Sequence, residues 1–247
     1  MQAGLLLRAL PKDGSAPSEY EDAWAASGTG DRLWLPLRTS LADGATETSF
    51  AGLWAGMLVR AFAQGVWDPE GGGHALDVLR RRWRHVVAGR PLPWHAREKV
   101  LQGACATFLG LRLEPRRPGF AGWQAIAAGD CCLFQLRGGR LLAAFPVDAR
   151  ARLPLRPDAL CSAPGRDAPL RRARGLARSG DTFYLMTDAL AGWFLREAEH
   201  GGEPWLQLGA VAGQDRQAFT AWVDRRRSEG SLRNDDVTLA VLGLREP

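Results

Sequence analysis

Between residues 105 and 147 four strand-like runs follow one another, "CATFLGLRLEP", "GWQAIAAGD", "CCLFQLRGGR" and "LLAAFPV". Only short breaks separate them. Strands joined this tightly pair antiparallel, because a parallel pair needs a long crossover. The "RGGR" junction has the length and glycine content of a two-residue hairpin. Before this block lies a different periodicity. From Ser49 to about Val66, apolar residues fall at Phe50, Leu53, Trp54, Met57, Leu58, Ala61 and Phe62, one face of a helix, with Thr48 or Ser49 as its cap. After the loop "DPEGGG", a second helix, "HALDVLRRRWRHVVAG", turns Leu76, Leu79, Trp83, Val86 and Val87 inward and stops at Gly89.

The rest of the chain extends the same segregation. The first 45 residues read as short extended runs, "GLLLRAL", "EDAWAAS" and "DRLWLPLRTSL", and "PLPWHAREKVLQG" reads as a short helix. Residues 148–180, rich in Pro and Arg, read as an irregular flap-like loop. Then come a strand and turn, "DTFYLMTDAL", three helical runs ("LAGWFLREAEH", "EPWLQLGAVAG", "RQAFTAWVDRRRSEG") and a last strand, "DVTLAVLGL". Strands and helices that cluster rather than alternate imply α+β layers with largely antiparallel sheets, in one domain spanning 1–247.

Composition narrows the partners. The net charge is +5, but all basic residues except Lys12 and Lys99 are Arg, and they are scattered, so no nucleic-acid surface is expected. No apolar run reaches membrane-span length, and "MQAGLLLRAL" lacks the basic start of a signal peptide, so the expectation is a cytoplasmic protein with no membrane contact. Cys105, Cys131, Cys132 and Cys161 show no CxxC spacing and are expected as reduced, buried apolar residues, with Cys131 and Cys132 on opposite faces of a strand.

Chemistry enters through acidic residues at strand ends: Asp22 in "YEDAWA", Asp43 before Gly44, Asp188 closing "FYLMTD" and Asp235 in "NDDVTLAV". Each has a plain alternative; Asp43-Gly44 is a common turn dipeptide and Asp188 can cap a helix. Carboxylates and carbonyl oxygens are also hard ligands suited to Mg²⁺ or Mn²⁺.

Taken in order, "EDA", "ADGATE", "GDCCLFQLRGGRL", "DTFYLMTDAL" and "NDDVTLAVL" resemble the motifs of the metal-dependent protein phosphatases, the PPM or type 2C family, in a divergent bacterial branch. The resemblance spans residues 19 to 243. It implies two packed, mainly antiparallel sheets flanked by helices, and hydrolysis of Ser/Thr phosphate on phosphoproteins, opposing a Ser/Thr kinase, by a hydroxide bridging two divalent cations, Mn²⁺ or Mg²⁺. Carried over by motif, Asp43 would bridge the cations and position the attacking water, and the Gly44 carbonyl and Asp22, with Glu21 beside it, would serve one of them. Asp188 and Asp235 would serve the other, and Asp130 a possible third.

The likeness has gaps. The stretch before the first motif, "DGSAPSEYEDA", has no Arg for the substrate phosphate, which leaves Lys12 or Arg8 as candidates. Asp43-Gly44 runs into Ala45-Thr46-Glu47 rather than a His- or Gly-rich stretch. A catalytically weak, phosphatase-like domain that binds a phosphoprotein as a regulatory module is the alternative reading.

Overall fold

The computed structural model describes every residue except 70–72, 92–99, 148–152, 155–156, 166–167 and 247. Thirteen strands and five α-helices are formed among the described residues. In chain order the first strands are β1 (Gln2–Leu10), β2 (Ala23–Ala26), β3 (Arg32–Trp34) and β4 (Leu37–Ala42). Helices α1 (Ala51–Ala63) and α2 (His74–Ala88) follow. The middle strands are β5 (Cys105–Ala106), β6 (Phe108–Arg117), β7 (Phe120–Ala128), β8 (Cys132–Arg137), β9 (Arg140–Phe145), β10 (Leu160–Cys161), β11 (Arg171–Arg178) and β12 (Asp181–Met186). The chain closes with α3 (Asp188–Glu199), α4 (Pro204–Ala212), α5 (Arg216–Ser228) and β13 (Val237–Arg245).

Two large antiparallel sheets result, in the orders β3-β1-β13-β12-β8-β9 and β11-β7-β6-β4-β2, with a two-stranded ribbon β10-β5 beside them. The period-2 alternation of the strands builds the layers. In β12, Phe183 and Leu185 enter the core between the sheets, while Tyr184 and Met186 face outward under α3 to α5. The inter-sheet core also takes Leu41, Leu109, Leu111, Trp123 and Leu242. On the other outer face α1 and α2 lay Trp54, Leu58, Phe62 and Trp83 onto Phe108 and Ala128. Each such fully buried aromatic contributes about 1.5–3 kcal/mol relative to exposure. Cys131 belongs to the inner core and Cys132 to the outer one, the opposite faces expected of neighbours in a strand. Gly110 is required by packing: a Cβ there would lie 2.7 Å from the Phe62 ring. The "RGGR" hairpin pairs Arg137 with Arg140, and Gly138 and Gly139 both take positive φ, as a type I′ turn demands.

Four expectations change. Residues 171–178 are not loop but β11, the edge strand of the five-stranded sheet, paired along its length with β7. Its Ala173 and Ala177 turn toward the inter-sheet core, while Arg172, Arg174, Leu176 and Arg178 alternate onto the exposed face. Helix α1 is not capped by Thr48 or Ser49; its N-cap is Phe50, in a left-handed conformation. The Thr48 hydroxyl is spent on the preceding turn, donating to the Ala45 carbonyl and accepting from the Cys105 N–H. Cys105 and Cys161 are not reduced; they face each other across the β5–β10 ribbon and form a disulfide, while Cys131 and Cys132 stay free and buried. The last strand starts at Val237, so Asp235 lies in the turn before it. The short helix expected within "PLPWHAREKVLQG" falls largely outside the described residues. Among the described residues no helix is long and apolar enough to cross a membrane.

Candidate functional site

Strand ends from both sheets deliver five Asp side chains to one end of the sandwich. Asp22 immediately precedes β2, Asp43 follows β4, Asp130 precedes β8, Asp188 opens α3 after β12, and Asp235 precedes β13. Each sits where its sheet strand stops, so the polar group reaches the edge of the core without breaking a ladder.

Like Asp130, Asp22 is buried. Its Oδ2 accepts from the hydroxyls of Thr187 (2.9 Å) and Thr238 (2.6 Å), which fixes the carboxylate. Its Oδ1 is buried with no hydrogen-bond partner, and so is Oδ1 of Asp130. Buried acceptors without partners are costly, so these two oxygens are the strongest local sign of a ligand. Asp236, the next residue after Asp235, has another role. Its two oxygens accept from the backbone N–H groups of Lys12 (2.9 Å) and Glu21 (2.7 Å), tying the end of β1 and the Glu21-Asp22 step to β13.

At Asp43 the chain turns through Gly44. A Cβ on Gly44 would lie 2.9 Å from Ala51 backbone and 3.0 Å from the Glu21 carbonyl oxygen, so only glycine fits. The Asp43 carbonyl accepts from Thr107 N–H and Ala45 N–H donates to the Cys105 carbonyl, both at 2.9 Å. This bridge to the disulfide-linked ribbon leaves Gly44's own carbonyl turned away from β5.

Electrostatics bind the group together. Burial first, then the charge of Asp236, raises Asp22 to about 8, against the lowering effect of the two Thr hydroxyls. Burial and then the Asp188 charge raise Asp130 to about 7. Asp43 is pushed well up by burial and by Asp22, Asp188, Asp235 and Asp130 together. Asp188 is raised by burial, against the lowering effect of the Arg233 guanidinium. That guanidinium donates to Oδ2 of Asp188 and, at 2.8 Å, to Oδ2 of Asp235. It was not singled out in the sequence, although it stands two residues before Asp235; its partnership with Asp188 spans 45 residues and leaves no local signal.

Asp43, Gly44, Asp130, Asp188, Arg233 and Asp235 line an open cleft of about 1020 Å³, with Cys105 and Cys161 on its wall. A second groove of about 510 Å³ meets it at Asp130, Asp188 and Arg233 and runs along α3 past Gly192 to His200. Glu21 and Lys12 lie in a neighbouring groove with Tyr20 and Arg90, and Thr46 lines both that groove and the cleft. Burial raises Glu21, while the Thr46 hydroxyl and the Lys12 charge pull it down. Arg8 is engaged elsewhere, donating to the carbonyls of Leu7 and of Gln214, the latter between α4 and α5.

An all-oxygen, net acidic set of this kind suits hard divalent cations. Among the described residues no three of these side chains converge as a ready-made coordination shell; Arg233 occupies two of the carboxylates instead. Without cations the raised carboxylates have a defined effect on stability. The folded protein keeps protons on Asp22 and Asp130 that an unfolded carboxyl releases near pH 3.9, so the benefit is complete below that pH. It is lost as pH rises through about 7 and 8. The melting temperature in chelator is therefore expected to fall between pH 5 and pH 8.5, and Mn²⁺ to restore most at the upper end. A chelator curve that is flat or rises over this range would contradict the shared-repulsion account.

No family model matches the sequence, and no curated protein matches it. Solved structures do match over essentially the whole length. One is the serine/threonine phosphatase PstP/Ppp of Mycobacterium tuberculosis, with a TM-score of 0.60 and 18% identity, covering 100% of both chains. Another is the photosystem II phosphatase PBCP, with a TM-score of 0.61 and 14% identity over 98% of this chain and 99% of that one. A third is the catalytic domain of PstP in complex with two manganese ions, with a TM-score of 0.52 and 19% identity over 100% of both chains.

Proposed function

We propose that this chain, which has the fold of the PPM protein phosphatases, is a single-domain, cation-dependent phosphatase acting on Ser/Thr phosphate of phosphoproteins and opposing a kinase. The observation that carries the reading is that five Asp from separate elements are gathered at one end of the sandwich, near enough to raise one another's pKa values, two of them with a buried oxygen that has no hydrogen-bond partner. Crowded carboxylates with raised pKa values are the kind of cluster that functional sites gather, and a bound cation would relieve their repulsion.

The donor types suit two divalent cations. On this reading Asp43, the Gly44 carbonyl and Asp22 would hold one; Asp43, Asp188 and Asp235 the other; Asp130 would serve a third. Bound there, Mn²⁺ or Mg²⁺ would supply water activation and charge neutralisation for in-line phosphoryl transfer. The chain's own residues do the rest. Thr187 and Thr238 orient Asp22 through their hydroxyls. Asp236 holds Glu21 in register by its backbone N–H. Gly44 lets the Asp43 turn pack directly on α1. The open cleft has room for a phosphorylated side chain carried on a polypeptide.

A second reading, a phosphatase-like module that binds a phosphoprotein without turnover, draws on the ion pairs of Arg233 with two of the carboxylates. One assay separates the two. Hydrolysis of p-nitrophenyl phosphate, and of phosphoserine and phosphothreonine peptides, is expected with Mn²⁺ and is expected to stop with excess chelator. A folded protein that binds Mn²⁺ but turns nothing over would select the module. No Mn²⁺ binding would remove the site assignment.

A further inference from the structure

We propose that Arg233 is the residue that receives the substrate's phosphoryl group, and that it is held in reserve on Asp188 and Asp235 until divalent cations take those carboxylates. This rests on the two-cation reading above and assigns its phosphate-binding group.

Three observations lead here. First, Arg233 is the sole basic side chain among the described residues lining the cleft, whose other charged members are Asp43, Glu47, Asp130, Asp158, Asp188 and Asp235. Among the described residues of the cleft, Arg233 alone offers an entering phosphate dianion a positive group from the protein. Second, its tip is tethered while its stem is open. The guanidinium pairs with both carboxylates, yet the side chain is 61% exposed and borders both the cleft and the groove along α3. Third, the backbone around it is fixed, which makes the side chain the moving part. Arg196 donates to the Ser231 carbonyl at 2.6 Å, and Arg227 donates to the Asp235 carbonyl at 2.7 Å.

The exchange follows from charge and geometry. A divalent cation draws the lone pairs of a carboxylate more strongly than a guanidinium does, so Arg233 loses its two partners when cations bind. Guanidinium stays protonated at any physiological pH and presents a planar fork of donors that matches two phosphate oxygens. The released arginine then remains at the seam of the two grooves, beside the carboxylates it has left.

Arginine-directed labelling with phenylglyoxal, read at Arg233 by peptide mass spectrometry, tests this without reference to turnover. Labelling is expected to be slow in chelator, severalfold faster with Mn²⁺, and slow again when inorganic phosphate is added to the Mn²⁺ form. In kinetics, Arg233→Ala is expected to raise KM for a phosphopeptide roughly 10- to 100-fold, the loss of a charge-assisted hydrogen-bonded contact. Arg233→Lys should recover part of this. Calorimetry should find Mn²⁺ bound by Arg233→Ala at least as tightly as by the unaltered protein. Normal Mn²⁺ binding with labelling indifferent to Mn²⁺ and phosphate, or with KM unchanged in Arg233→Ala, would overturn the assignment of Arg233 while leaving the phosphatase reading intact. Failure of the unaltered protein to bind Mn²⁺ would instead overturn the two-cation reading and this proposal with it.

Discussion

Replacing Asp43 by Asn is expected to lower Mn²⁺-dependent hydrolysis by roughly a thousandfold or more, about 4 kcal/mol of transition-state stabilisation. Asn keeps the shape of the side chain, so the turn through Gly44 and its bridge to Ala106 should survive. What disappears is the charge at the centre of the set, the carboxylate that feels Asp22, Asp188, Asp235 and Asp130 at once. The same substitution relieves that repulsion in the absence of cations. The melting temperature of Asp43→Asn in chelator should thus equal or exceed that of the unaltered protein, while its gain on adding Mn²⁺ should shrink. Loss of activity through unfolding would move both readouts down together. Activity within tenfold of the unaltered protein would show that Asp43 is not central to the chemistry.

At the opposite end of β12, Asp181→Ala is expected to destabilise the fold by about 3 kcal/mol, the low end for removing one partner of a buried ion pair. Asp181 is fully buried and accepts from Arg137 (2.6 and 2.8 Å), Gln135 (2.9 Å) and the Arg178 N–H (3.0 Å). Gln135 carries the network on to the Trp123 indole and the Leu176 carbonyl, so this cluster pins one sheet to the other. Removing the carboxylate takes one acceptor from the buried amide nitrogen of Gln135, which keeps the Leu176 carbonyl, and leaves the Arg178 backbone N–H without its partner; the loss at Arg137 is softened because that side chain is 31% exposed. Burial alone would raise Asp181, but its hydrogen bonds to Arg137, Arg178 and Gln135 outweigh burial and hold it below the usual carboxylate range. Its contribution is therefore present above about pH 4 and fades as pH falls through its lowered folded value. A drop of roughly 6–12 °C in melting temperature corresponds to this loss in a chain of this size. The cation-dependent activity of the folded fraction should be unchanged, since Asp181 lies a strand's length from Asp188. A shift under 2 °C would show that the network is not a structural tie.

Why some of this was legible in the sequence and some was not is a matter of range. The runs that became β6 to β8 are apolar over most of their length because both of their faces are largely buried, and neighbouring strands are joined by short turns, so composition and glycine placement sufficed. Helix α1 declared its face through Trp54, Leu58 and Phe62. Strand β11 did not declare itself. As an edge strand it carries Arg on its open side, a common guard against edge-to-edge association, and that composition resembles loop. Gly175, which looks like a loop residue, is there because a Cβ would lie 2.7 Å from the Trp123 ring. The Cys105–Cys161 pair joins two strands of two residues each, too short to show a period, across a separation of 56 residues. The five Asp were readable by position within their motifs. Arg233 was not, because what matters about it is a partner brought from the start of α3.

The order of strands carries one more consequence. β13 lies between β1 and β12, paired with β1 at nine positions from Gln2↔Arg245 to Leu10↔Val237. Until β13 is inserted, the six-stranded sheet is two separate halves with open edges, and the segment that brings Asp235, Asp236 and Thr238 to the carboxylates has not arrived. A chain emerging from the ribosome therefore has β1 unmatched on one side until the β13 segment has been made. Closing so distant a pairing is slow, since loop-closure entropy must be overcome before the contact rewards it. Sheet closure and assembly of the acidic end become the same late event. On the two-cation reading, cations would then have nothing complete to bind in the folding nucleus, and their influence would fall on how long the finished protein lasts rather than on how quickly it forms.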